Sequence, residues 1–224
     1  MLSEAVEALF VVLLAAGVPA LSYLSTREIQ IRFLPRLTLY RSAVLSQVAL
    51  AALCLGTARV TSRSVPVFGT ISAATLMGWT ALLTAASLAV MAIILVLERR
   101  GWWPRESDLV YLLVPETSAE KLWGVFLVAP AAAFCEEYVY RGYLLATLPA
   151  WLHSVSWSWV LASVIFGLAH AYQGPGGVAR AALLGAWLAY PVLRLGNLYP
   201  SIAAHFLIDA AALGWLGPRL LRGR

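Results

Sequence analysis

Long apolar stretches separated by short polar connectors run through the whole sequence. Each of them approaches the roughly 20 residues that a helix needs to cross a bilayer. They lie at about 4 to 24, 40 to 57, 68 to 97, 119 to 148, 155 to 172, 178 to 195 and 198 to 216. The pattern predicts an all-α, polytopic transmembrane helical bundle with about seven spans, or eight if one of the longer stretches is broken.

The polar connectors are too short to fold alone, so we interpret residues 1–224 as a single membrane domain. Residues 1–97 are predicted to form scaffold helices, and 119–216 the helices that carry the chemistry. The charged stretch 98 to 121 between them is interpreted as a cytoplasmic loop. The Gln-Gly-Pro-Gly-Gly connector at 173 to 177 is interpreted as a helix stop and plain turn rather than as a hinge. Polar residues inside the scaffold spans, such as Gln47, are typical of contacts that hold membrane helices together.

Composition supports the membrane assignment, because 61% of the residues are hydrophobic and only 12% are charged. A net charge of +5 could indicate nucleic-acid binding. However, the basic residues are spread among connectors without interleaved aromatic residues, so nucleic acid is excluded as a partner. The positive-inside rule predicts an outside amino terminus and an inside carboxyl terminus for seven spans. The residues then placed inside are Arg27, Arg32, Arg36, Arg41, Arg99, Arg100, Arg105, Lys121, Arg180, Arg219, Arg222 and Arg224, against Arg59, Arg63 and Arg194 outside.

The first apolar stretch has no basic segment before it, so a membrane anchor is favoured over a cleaved signal peptide. Cys54 and Cys135 lie in different predicted spans and give neither a disulfide framework nor a thiolate metal pair. Cys135 is interpreted as a small buried hydrophobe and not as a nucleophile. We expect a multi-pass protein of a prokaryotic plasma membrane.

Two adjacent acids and an arginine lie inside the stretch 119 to 148, as Glu136-Glu137-Tyr138-Val139-Tyr140-Arg141. Charged residues at membrane depth are costly and usually functional. On a helix Glu137 and Arg141 lie on one face and can pair, whereas Glu136 is turned by about 100° from its neighbour. Glu136 is therefore the carboxylate left free for general-base chemistry. The alternative is a structural ion network formed by all three residues.

Two histidines and a further acid follow in the same half of the chain. His205 and Asp209 are four residues apart, so both can face one cavity, with Asp209 orienting or charging the imidazole. Phe166 and His170 repeat that spacing. Helix lengths allow Glu136, His170 and Asp209 to meet near the middle of the membrane.

These residue types suit peptide hydrolysis, in which a base deprotonates water and positive groups stabilise the oxyanion. No cofactor is expected. Two histidines and a carboxylate could instead hold a divalent metal such as zinc, and the spacing alone leaves that alternative open.

Three motifs resemble those of the CPBP group of intramembrane endopeptidases, which includes the type II CAAX prenyl proteases and bacteriocin-processing or immunity (ABI-like) proteins. They are Glu136-Glu137-x-x-x-Arg141, Phe166-x-x-x-His170 and His205-x-x-x-Asp209, and the resemblance covers residues 119 to 216. It implies that Glu136 and His170 activate a water, that His205 and Asp209 hold the water or the oxyanion, and that Glu137 and Arg141 support the site.

The third motif of that group often ends in asparagine, so Asp209 adds a negative charge that favours a metal or a shared proton. The resemblance implies a peptidase of glutamic or metal-dependent type. Its substrate would be a membrane-associated peptide or protein, prenylated or not, met at the lipid bilayer. The competing readings are a non-catalytic membrane protein that binds or regulates a partner, and a proton or ion carrier.

Overall fold

The structure is a computed structural model that describes residues 2–25, 33–65 and 68–217. The described residues form helices and no strand. The helices are α1 (Leu2–Ser25), α2 (Arg36–Val60), α3 (Ala73–Arg99), α4 (Leu109–Leu112), α5 (Ser118–Leu152), α6 (Val155–Ala169), α7 (Ala171–Leu195) and α8 (Tyr199–Ala211), and α8 is extended by a π-helical turn, Ala212–Leu216. Five of the predicted basic residues, Arg27, Arg32, Arg219, Arg222 and Arg224, lie outside the described residues.

The helices confirm the predicted all-α membrane bundle. Five of them, α1, α2, α3, α5 and α7, are long and apolar enough to cross a membrane by length and composition, and α6 is a shorter apolar helix of 15 residues. Each of the seven predicted stretches corresponds to one helix among α1–α3 and α5–α8. The third begins later than predicted, because Ser72 caps α3 by accepting a hydrogen bond from the backbone N–H of Thr75.

Contacts between connectors show which helix ends share a face of the bundle. At one face Tyr172, which begins α7, donates its backbone N–H to Ser22 Oγ near the end of α1 (3.1 Å). On the same side Arg36, the first residue of α2, pairs with Glu116 just before α5 (2.6 Å). We call this the first face.

The opposite face is held by a second set of polar contacts. Arg63, after α2, binds both carboxylate oxygens of Glu7 near the start of α1, at 2.9 and 2.7 Å. Asn197, between α7 and α8, donates to the carbonyl of Gly69 before α3 (2.9 Å). The long helices therefore alternate in direction between the two faces, as an up-and-down membrane bundle requires.

Helices α5 and α6 form a tight antiparallel pair. His153 ends α5 in a left-handed conformation (φ 49°), and Ser154 caps α6 by accepting the N–H of Trp157. Glu136 then lies about 24 Å and His170 about 22 Å from this turn along their helices. Their depths match, so both side chains reach the same level of the bundle.

The connector at 173 to 177 differs from the prediction of a helix stop. Gly174 turns the chain with a φ of +78°, but residues 174 to 177 are already the first α-helical turn of α7, directly after its 3-10 turn Ala171–Gln173. Proline is tolerated there, because the first N–H groups of a helix have no partner within the helix. A Cβ on Gly176 would lie 2.1 Å from the carbonyl oxygen of Pro104, so the glycine allows a close backbone contact.

Candidate active site

The first predicted motif lies where α5 widens into a π-helical stretch, Glu137–Leu144. Such widened turns are rare and are frequent at functional sites. Within it every residue except Tyr138 is buried, and Glu136, immediately before it, is also buried. The sequence thus places its most costly charges in the interior and not towards lipid.

Glu137 and Arg141 form the ion pair predicted from their spacing. Glu137 Oε1 lies 3.1 Å from Arg141 Nη1, and the side chains are 0% and 2% exposed. The guanidinium carbon lies 3.9 Å from the centre of the Phe166 ring, a cation–π contact. Within the described residues neither Nη atom has a partner at hydrogen-bonding angles. Charge and the aromatic face therefore hold the Nη end of Arg141.

His205 is oriented by Glu137, a contact that the spacing did not predict. Its Nδ1 lies 2.8 Å from Glu137 Oε1. Because an ionised carboxylate only accepts, Nδ1 carries a proton and Nε2 faces the rest of the site. Nε2 lies 3.5 Å from Asp209 Oδ2. Asp209 is thus beside the imidazole as predicted, but Glu137 and not Asp209 makes its direct hydrogen bond.

His170 follows the last residue of α6 and is fixed by the carbonyl of Phe166, 2.8 Å from its Nδ1. A carbonyl only accepts, so Nδ1 is the donor, and Nε2 is the nitrogen that faces Glu136. The Phe166 ring also packs edge-on against His170 at 4.7 Å between centroids. Phe166 therefore contacts both Arg141 and His170 and joins the first two motifs.

Glu136 lies between the two histidines. Its Oε2 is 3.9 Å from His170 Nε2 and 3.9 Å from His205 Nε2. This oxygen is buried and makes no hydrogen bond to the residues that the structure describes. Three groups able to bind a proton therefore surround one point, and the six predicted residues meet in one cluster.

Sequence reasoning missed Gln47 as a member of this cluster. Its Nε2 donates to Glu136 Oε1 at 2.5 Å, from a residue 89 positions earlier in the chain. The available signal was an amide in the middle of the apolar stretch 40 to 57, which we interpreted as a general helix contact.

The loop of residues 102–108, here called the strap, covers the start of α7 beside His170. The Ser107 N–H donates to the carbonyl of Gln173 (2.7 Å), and Trp103 Nε1 donates to the carbonyl of Gly176 (3.2 Å). The stretch 98 to 121 is therefore in contact with the helices that carry the site.

The cluster can be tested for zinc from its donor spacing. Tetrahedral zinc with nitrogen and oxygen ligands at about 2.1 Å holds its donor atoms about 3.4 Å apart. Here two of the three relevant distances are 3.9 Å and the third is 3.5 Å. Among the described residues no group of three or more His, Cys, Asp or Glu side chains has a geometry that could hold a metal ion. In this arrangement two of these separations are about 0.5 Å wider than one tetrahedral zinc ion would set.

The fold and the cluster define a helical integral membrane protein with a buried set of acids and histidines. Residues 118–211 match the family model described as Type II CAAX prenyl endopeptidase Rce1-like. The matched segment contains all three motifs, so this part of the chain is similar to the type II CAAX prenyl endopeptidases, the family that the motifs resemble. The match supports a CAAX-protease-like endopeptidase at the level of that family. No curated protein and no solved structure matches the chain.

Proposed function

We propose that the protein hydrolyses a peptide bond of a membrane-associated peptide or protein, with Glu136 as the general base and without a metal. The observation that carries this proposal is the convergence of Glu136 Oε2 on the Nε2 atoms of His170 and His205, each at 3.9 Å. These distances are too long for direct hydrogen bonds and suit a water between the groups. A water oxygen that lies about 2.8 Å from Glu136 Oε2 and about 2.8 Å from a histidine Nε2 sits about 2 Å to the side of the line between those two atoms.

In the proposed reaction Glu136 Oε2 takes a proton from this water, and His170 Nε2 accepts the other proton as a hydrogen bond. The water oxygen attacks the carbonyl carbon, and the carbonyl electron pair moves onto its oxygen. The oxyanion then re-forms the C=O bond, the C–N bond breaks, and Glu136 gives the proton to the leaving amine, which regenerates the carboxylate.

His205 is proposed to stabilise the oxyanion. With a proton on each ring nitrogen it donates Nδ1–H to Glu137 and Nε2–H towards the developing negative charge. Asp209 faces the same imidazole and balances its charge. Its side chain is 32% exposed, the most open of the acids in the cluster, so substrate would approach from its side.

Arg141 is too deeply buried to contact substrate and is proposed to support Glu137. We further propose that the protein resides in a prokaryotic plasma membrane.

The test uses purified protein in detergent with quenched-fluorescent peptides, prenylated and unprenylated. We expect Glu136→Gln to lower kcat by about 10²- to 10⁴-fold, the usual contribution of a general base, and His170→Ala to cause a similar loss. The matched control is Glu116→Gln, the same change at an acid that is 63% exposed, which should leave kcat unchanged. A strong chelator should not alter the wild-type rate.

Chelator-sensitive activity that zinc restores would contradict the metal-independent mechanism. Full activity of Glu136→Gln would contradict the role of Glu136. If folded wild-type protein cleaves none of the peptides, the partner-binding reading gains support, and proton-coupled flux in vesicles would favour the carrier.

A further inference from the structure

Helix α2 presents one seam of packed side chains to the bundle, and the half-buried Gln47 is one of its members. Tyr40 and Cys54 are buried, and they precede and follow Gln47 by seven residues each. Seven residues are close to two helical turns, so the three side chains lie on one face. An amide in such a seam is costly unless it is hydrogen-bonded. Gln47 meets this requirement by donating to Glu136 Oε1.

We propose that Gln47 is a positioning residue for Glu136, an inference that rests on the proposed hydrolytic function. The amide holds Oε1, so the carboxylate presents Oε2 to the two imidazoles. Gln47 is uncharged, so it fixes the carboxylate without the full opposing charge that lysine or arginine would bring. The general base is thereby oriented and remains available for a proton.

The position of Gln47 is itself fixed by contacts nearer the first face. Tyr40 Oη donates to the carbonyl of Leu113 (2.8 Å), and the Arg41 guanidinium lies 5.1 Å from the centre of the Trp123 ring. These two contacts set the register of α2 against the start of α5. Gln47 therefore meets Glu136 at a defined depth in the bundle. Helix α2, which belongs to the predicted scaffold half, thus contributes a residue to the site.

The contact predicts a specific kinetic signature. Gln47→Met keeps the length and removes the donor, and Gln47→Asn keeps the amide but withdraws it by one methylene. Misplacement of a reacting group by about 1 Å costs on the order of 10²-fold in rate. We therefore expect both variants to lower kcat by about 10²-fold, with KM within about twofold of wild type. Ser46→Ala, at the exposed neighbour on α2, is the control and should change neither constant.

A second measurement does not depend on turnover. The infrared difference between wild type and Glu136→Gln isolates the Glu136 carboxylate bands, and their frequencies report hydrogen bonding. In the Gln47→Met background these bands should shift, because Oε1 has lost its donor.

Each result decides a separate point. The positioning role would be overturned if the carboxylate bands did not shift or if both Gln47 variants kept the wild-type kcat. It would also be overturned if kcat, KM and thermal stability all fell to the same extent. Shifted bands in a protein whose wild type cleaves no peptide would uphold the positioning of Glu136 and sink the hydrolytic proposal instead.

Discussion

Replacing Glu137 by glutamine would leave the Arg141 guanidinium in the interior without its carboxylate partner. The side chain of Arg141 is only 2% exposed, so water cannot replace the lost charge. The glutamine oxygen can still accept the Nδ1 proton of His205. The change therefore removes charge while retaining the shape and one hydrogen bond.

The cost follows from what remains around Arg141. Its contact with the Phe166 ring is present before and after the change and cancels. Removing one partner of a buried ion pair destabilises a protein by about 3–5 kcal/mol, because the other charge stays buried. At about 2–4 °C per kcal/mol for a chain of this size, the melting temperature should fall by roughly 10 °C. Adding Arg141→Met to Glu137→Gln removes the unpaired guanidinium, keeps the acceptor for His205 Nδ1 and should restore much of the loss.

The assay is the thermal unfolding of purified protein in one detergent, followed by intrinsic tryptophan fluorescence. Glu116→Gln breaks an exposed pair worth at most about 1 kcal/mol and provides the baseline for this substitution. A melting temperature for Glu137→Gln within the range of that control would refute the assignment of Glu137 as the partner of Arg141. A double variant, Glu137→Gln with Arg141→Met, that is less stable than Glu137→Gln alone would refute the same reasoning from the other direction.

Two further predictions concern packing and the second buried ion pair. A Cβ on Gly185 would lie 2.8 Å from Phe166 Cδ1 and 3.1 Å from an Arg141 nitrogen, so Gly185→Ala should lower stability by about 1–3 kcal/mol and reduce kcat. Gly78→Ala, with nothing within 4 Å of the new Cβ, is its control, and equal activity and melting of the two variants would contradict the steric argument. Arg63→Met should destabilise the fold through Glu7, which is buried, while kcat of the remaining folded protein stays unchanged; a selective loss of kcat would place this pair within the reaction.

Contacts within one helix could be predicted from the sequence, because helical periodicity fixes which side chains share a face. The ion pair between Glu137 and Arg141 and the approach of His205 to Asp209 both follow from a spacing of four residues. The convergence of Glu136 and His170 was also within reach, since α5 and α6 are consecutive and antiparallel.

Contacts between distant helices could not be predicted in this way. Hydropathy indicates where a span begins and ends but not which spans are neighbours or how each is rotated. The bond from Gln47 to Glu136 and the bond between His205 and Glu137 depend on that packing, across 89 and 68 residues. Hydropathy likewise gives no sign of the π-helical widening of α5.

The shortness of α6 has a consequence for the lipid around it. Its 15 residues extend about 22 Å, whereas the hydrocarbon core of a typical bilayer is about 30 Å thick. The length of α6 therefore falls short of that thickness by about 8 Å. Lipid beside α6 must thin, or polar protein and solvent must occupy that depth. A bilayer of longer acyl chains would therefore strain this side of the bundle most, and the reaction should depend on membrane thickness as well as on the substrate.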